Sequence, residues 1–342
     1  MEKNRLLWIS VAQVAASFAV VMLHCNGVFW KFPSGRLWYT SNFIECFFYW
    51  AVPVFFMITG ATLLDYQKKY STLMFFRKRI ARVALPFIAW SFIGVLYRVR
   101  FDNLSVGSSR ELIDGIINTK FISIYWYFIS LCGVYFCIPF AAAISNEKKN
   151  RCYLYASITG FIFSSVLPTT CGIFNIPFNA AVTPSVFNGY ILYALIGYVI
   201  MKVKIPQKYR TLLYILGILG TCIQFFGTDI LSKDAGSLDR TFKGYLNFPA
   251  VLQAVGVFIL FRYFPYQKLS TKIIRLINGV SKRTFGVYLM HVYFVWQLPR
   301  LFHFSGASIY FRTFGAVAIY CICILLCWLI SKAPILNKIL GC

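Results

Sequence analysis

LLWISVAQVAASFAVVMLHCN, residues 6–26, decides the fold. The stretch is long enough to cross a hydrocarbon layer, yet it is not uniformly apolar. Ser10, Gln13, Ser17 and His24 recur at steps of three, four and seven, which places them on one face of a helix. A membrane helix that is polar on one side turns that side to a protein interior or a watery cavity, so this segment predicts a helix within a bundle. The eighteen residues from Leu6 to His24 rise about 27 Å, close to one hydrocarbon thickness. With the N-terminus inside, His24 lies near the outer surface.

The rest of the chain agrees. Of its 342 residues, 59% are hydrophobic, 19% aromatic and only 13% charged, with a mean hydropathy of +0.68; a soluble protein carries about 25% charged residues. The fold class is all-α, a polytopic membrane bundle of about ten transmembrane helices. Candidate spans run over residues 7–26, 43–64, 83–99, 125–144, 152–168, 187–201, 211–226, 246–264, 284–301 and 313–330. No soluble domain and no internal repeat interrupts them, so residues 1–342 read as one transmembrane domain, and nothing at the start resembles a cleavable signal.

A net charge of +24 would suggest nucleic acid in a soluble chain; here the placement of the charges explains it. With N-terminus and C-terminus both inside, the inner segments hold 23 of the 34 Lys and Arg, among them Lys3, Arg5, Arg77, Lys78, Arg79 and Arg82. Membrane lipids, not nucleic acid, are the expected partners. Six of the eleven cysteines (Cys132, Cys137, Cys222, Cys321, Cys323 and Cys327) sit in apolar spans, and no Cys/His cluster has zinc spacing, so they read as small apolar residues and no metal site is expected.

Three constellations could carry chemistry. His24 reads either as an interfacial histidine with its tip in water or as a general base. Glu45, the only acid inside a span, lies at similar depth and could orient His24, or could pair with Lys31 or Arg36. Arg77, Lys78, Arg79 and Arg82 within MFFRKRIARVALPF (74–87) form a basic patch suited to lipid headgroups or to a phosphate-bearing ligand. His291, in SKRTFGVYLMH (281–291), is the most deeply placed histidine and reads as a functional group or as an imidazole bonded between helices. Tyr125, Trp126 and Tyr127 begin a span at the outer surface, where aromatic belts occur and where rings also form sugar-stacking platforms.

Taken together these stretches resemble the integral-membrane acyltransferase-3 family, which includes O-acetyltransferases of O-antigen and enterobacterial common antigen. AVPVFFMITGATLL (51–64) resembles VPxFFxISGxLL, FFRKRIARVALPFIAWS (75–91) the family's basic loop followed by LPxxxWS, IYWYFISLCGVYFCIPF (124–140) LWYLxxLxxxYLxxP, and SKRTFGVYLMH SxxSxGIYLxH. The first span follows the family's Asp-x-x-Arg and distant His, except that Ser10 and Gln13 replace the Asp and Arg. The resemblance implies an O-acyltransferase in a bacterial inner membrane. Its donor is acyl-CoA, most simply acetyl-CoA, a substrate and not a resident cofactor. Its acceptor is a sugar hydroxyl of a surface polysaccharide or lipid-linked precursor. His24 becomes the base, with Glu45 and His291 as further catalytic candidates; Arg77, Lys78, Arg79 and Arg82 hold the donor; Ser10, Gln13, Ser17 and Trp126 line the path. A covalent acyl-enzyme stays open, as does a transporter or exporter of lipid-linked sugars, in which the same stripe lines a permeation route.

Overall fold

A computed structural model describes the backbone of residues 2–342 and the side chains of residues 7–342. Lys3, Arg5 and Leu6 therefore lie outside the described side chains. Among the described residues the chain is helical throughout, with no strand.

The first helix, α1 (Glu2–Cys25), stands at the centre. Ala12, Ala16 and Ala19 are fully buried on it, a small-residue face that lets neighbouring helices approach closely. The expected second span begins earlier, at Gly35, and is broken into α2 (Gly35–Phe48) and α3 (Ala51–Leu63). Pro53 explains the break: without an N–H it cannot bond the Tyr49 carbonyl, and the helix restarts at Ala51. Next come α4 (Thr72–Arg79) and α5 (Leu85–Asp102), joined by a π-helical turn at Ile80–Ala84 directly ahead of Leu85-Pro86. The amphipathic α6 (Ser109–Ile117) precedes α7 (Trp126–Ala142). The pair α8 (Asn146–Phe161) and α9 (Leu167–Ile173) repeats the device, with a π turn at Ile162–Val166 before Leu167-Pro168. In both places the wider turn absorbs the bond that proline cannot make, so the span continues.

The second half comprises α10 (Ile191–Lys202), α11 (Gln207–Ala235), α12 (Phe248–Tyr263), α13 (Thr271–Ser281), α14 (Thr284–Leu301), α15 (Ala316–Ile330) and α16 (Pro334–Leu340). Seven segments of the described chain are long and apolar enough to cross a membrane. The shorter apolar helices α10 and α12, with α14, occupy the remaining expected spans. Around α1 pack α2, α3, α12, α13, α14 and α15.

Glycine sets the closest approaches. A Cβ on Gly60 of α3 would lie 1.8 Å from the Ala194 carbonyl oxygen of α10, and one on Gly197 of α10 would lie 2.1 Å from the Met57 carbonyl oxygen of α3. These two helices touch backbone to backbone. One end of the bundle gathers Arg79, Arg82, Lys282 and Lys338; the opposite end gathers His24, Trp126 and the α11–α12 connection. We call them the basic and distal ends.

Candidate active site

At the distal end a cavity of about 550 Å³ opens beside the last turn of α1. His24 and Glu45 line it, together with Trp126, Tyr190, Lys243 and Tyr245. The aromatic wall is a continuous series of stacked rings. Tyr49 lies on Tyr245 at 4.5 Å and 15°, and Tyr245 on Trp126 at 5.6 Å and 22°. Trp126 meets Tyr190 at 5.6 Å, and Tyr190 lies on Phe56 at 4.5 Å and 13°. Rigid ring faces next to polar groups suit a ligand with one apolar face and hydroxyl edges.

The geometry around His24 assigns its protons. His291, fully buried on α14, has Nδ1 at 3.0 Å from the Val287 carbonyl oxygen. A carbonyl only accepts, so His291 Nδ1 carries the hydrogen and, in the neutral ring, Nε2 is an acceptor. That Nε2 lies 2.7 Å from His24 Nδ1, which must therefore donate. The remaining nitrogen, His24 Nε2, holds a free lone pair on a ring that lines the cavity. A chain of two hydrogen bonds from a helix backbone thus fixes the tautomer and plane of the outer imidazole, which is what a general base requires.

This corrects the expected role of Glu45. The carboxylate does not reach His24. It accepts from Asn26 Nδ2 at 3.4 Å, and among the described residues it pairs with neither Lys31 nor Arg36. Asn26 also donates to the Ser41 carbonyl (2.8 Å) and accepts from Arg312 Nη1 at 3.1 Å. Arg312, 1% exposed, sits in a π-helical turn at Phe311–Gly315 and bonds Thr40 Oγ1 (2.9 Å) and the Ala307 carbonyl (3.1 Å). Its guanidinium ties the end of α1, two residues past His24, to α2 and α15. Hydrogen bonds to a charged group each contribute about 1.5–3 kcal/mol. Arg312→Gln is therefore expected to lower the melting temperature in detergent clearly, and Arg312→Lys, which keeps the charge but not the fork, to recover only part of it.

The other sequence candidates separate along α1. Gln13 lies at the basic end, where Ser281 Oγ donates to its Oε1 at 2.7 Å. Ser17 does not line a cavity, as expected of a path residue. It is buried, with its Oγ 2.7 Å from the hydroxyl of Tyr320 on α15, whose OH also donates to the Val14 carbonyl at 3.1 Å. Ser10 is half-buried, one turn below Gln13. Trp126 belongs to the distal cavity, and His291 stands behind His24 without lining it.

A second polar cavity, about 620 Å³, opens at the basic end. Gln13, Arg79, Arg82, Lys282 and Lys338 contribute to its lining, which contains no Asp or Glu. The basic patch divides here. Arg79 and Arg82 reach the cavity, the π turn carrying Arg82; Lys78 folds over the Tyr70 ring at 3.9 Å, and Arg77 is exposed. The two cavities share no lining residue. Two further hollows beside α11 and α12 are almost wholly apolar, with no Asp, Glu, His, Lys or Arg in their lining. Lys243, Lys282, Lys338 and Arg312 were missed by sequence reasoning. Only Lys282, adjoining the ninth-span motif, offered a signal.

The acyltransferase-domain family model matches residues 6–332, nearly the whole chain. The chain belongs to the acyltransferase-3 family. It is a membrane acyltransferase. Comparison with curated proteins and with solved structures gave no match.

Proposed function

We propose that this acyltransferase moves an acyl group, most simply acetyl, from acyl-CoA at the basic end to a sugar hydroxyl in the distal cavity. The acceptor would be a glycan of the bacterial cell envelope or its lipid-linked precursor, with the protein in the inner membrane and the basic end cytoplasmic. The observation that carries this reading is the free Nε2 of His24, fixed by His291 in a cavity walled by stacked aromatic rings. The basic cavity, lined by four Lys and Arg and no Asp or Glu, supports an anionic donor, since guanidinium groups bind phosphate oxygens strongly. Lys282 and Lys338 supply charge there where Gln13 carries none. Eleven residues of α1, about 16 Å of rise, separate Gln13 from His24, so a long flexible donor arm is needed to bring the acyl carbon to the base. A transporter reading is less well supported, because the family match is to an acyltransferase domain and Ser17 is buried against Tyr320 instead of lining a cavity.

Two experiments test the reading. Surface polysaccharide from cells lacking the gene and from complemented cells is compared by mass spectrometry and NMR; loss and return of an O-acyl group is expected, and unchanged decoration with less exported glycan would instead favour export. Separately, Arg79→Ala and Arg82→Ala should each weaken coenzyme A binding to the purified protein about 10-fold or more, increasingly at low salt, read by calorimetry.

A further inference from the structure

The reaction proposed above develops a negative charge on the carbonyl oxygen of the thioester, and nothing assigned so far meets it. The distal cavity holds one buried cation for which the fold supplies no strong partner. Lys243, 6% exposed, lies in the connection between α11 and α12 and lines the same cavity as His24. Its backbone is pinned on both sides: its N–H donates to the Arg240 carbonyl at 2.9 Å, and its carbonyl accepts from the Tyr49 hydroxyl at 2.8 Å. The ammonium turns inward. It donates to Cys46 Sγ at 2.8 Å and stands 5.0 Å and 5.3 Å from the ring centres of Phe29 and Tyr49. A thiol is a weak acceptor, and among the described residues no carboxylate oxygen lies within 4.0 Å of Nζ. An ammonium carries three donors, and Cys46 takes one of them. Taking such a charge out of water without a close counter-charge costs several kcal/mol, a cost that structure alone does not recover here.

We propose that Lys243 is a catalytic residue of this acyltransferase, the cation that stabilises the oxyanion of the tetrahedral intermediate. The inference rests on the acyl-transfer reading. His24 Nε2 takes the proton of the acceptor hydroxyl as that oxygen bonds the thioester carbonyl carbon. The carbonyl π pair moves onto its oxygen, where the Lys243 ammonium donates a hydrogen bond. Collapse reforms the carbonyl and breaks the carbon–sulfur bond; the departing CoA thiolate recovers the proton from the His24 imidazolium. Every atom is accounted for, and Lys243 keeps its protons throughout. A cation placed in advance, in a site shielded from water, acts where charge develops. The rival role for Lys243 is to offset the buried Glu45 carboxylate, which lines the same cavity.

The test uses the full-length protein in lipid nanodiscs with acetyl-CoA as donor and water as acceptor, following free thiol release. Water needs the same oxyanion but makes no sugar contacts. Wild type is compared first with His24→Ala: hydrolysis that does not depend on His24 would defeat the acyl-transfer reading, and this inference with it. Given His24-dependent hydrolysis, Lys243→Met is expected to lower kcat about 10²–10³-fold with KM for acetyl-CoA and the melting temperature unchanged, and Lys243→Arg to restore part of the loss. Wild-type kcat in Lys243→Met overturns the proposal. So does recovery of kcat in the Glu45→Gln/Lys243→Met double variant, which would show a charge-balancing role only. Should Lys243→Met not accumulate as folded protein, the Lys243→Arg and Lys243→Gln pair supplies the same comparison, and equal kcat in both overturns the proposal.

Discussion

His24→Ala is expected to abolish O-acylation of the glycan while the protein accumulates in the membrane at its normal level. The imidazole is the one ring in the distal cavity with an unpaired nitrogen fixed by a neighbour, and general-base assistance contributes about 10²- to 10⁴-fold to such a step. Removing it leaves His291 with Nε2 unsatisfied but still bonded to Val287, so the helix pair remains packed. His291→Ala should act through His24. The outer ring loses its acceptor, its tautomers mix, and transfer falls although nothing that touches the acceptor has been removed. Both variants are read by the acyl content of surface polysaccharide, with membrane abundance as control. Full acylation with His24→Ala would remove the base assignment altogether.

Gly197→Ala is expected to be among the most damaging single-methyl changes in the bundle. The added carbon would meet the Met57 carbonyl oxygen at 2.1 Å, and that oxygen belongs to backbone that cannot rotate aside. The helices α3 and α10 must separate, and over-packing of this kind costs about 3 kcal/mol or more. The consequence reaches the site, because Tyr190 and Tyr193 at the start of α10 meet Phe56 and the Tyr245 carbonyl. Gly133→Ala on α7 is the control. Nothing lies within 4 Å of its new carbon, and replacing a helical glycine by alanine is itself favourable by up to about 1 kcal/mol. Thermal unfolding of the two variants in detergent decides the matter: equal melting temperatures would show that the α3–α10 contact yields more easily than its geometry requires.

These residues also show what a sequence can disclose about such a protein. The helical class and the polar face of the first span follow from apolar length and from the spacing of Ser10, Gln13, Ser17 and His24. Those are local properties. The His24–His291 contact joins positions 267 residues apart, and no periodicity within either helix announces it. Glu45 is the instructive case. Similar depth suggested that it serves His24, but depth along a helix leaves the direction of the side chain open, and α2 turns the carboxylate to Asn26. Arg312 and Lys243 resemble ordinary interfacial charges in sequence, near the end of a span and in a loop; their burial depends on turns that fold them inward. The division of the basic patch has the same origin, since the π turn at Ile80–Ala84 decides which of four adjacent cations reach the cavity.

The separation of the two cavities has an electrical side. Gln13 and His24, about 16 Å apart along α1, line separate cavities at opposite ends of the bundle, and Ser17 is bonded to Tyr320 in the layer between them. A membrane voltage therefore drops mainly across this layer, which is about half the hydrocarbon thickness, and the local field is correspondingly steep. Moving one elementary charge through it involves about 2.3 kcal/mol per 100 mV. In the proposed reaction the phosphates of the donor stay with Arg79 and Arg82, outside the steep region, and only an uncharged arm and acyl group cross it. On that reading, the transfer is expected to run at a rate independent of the membrane potential.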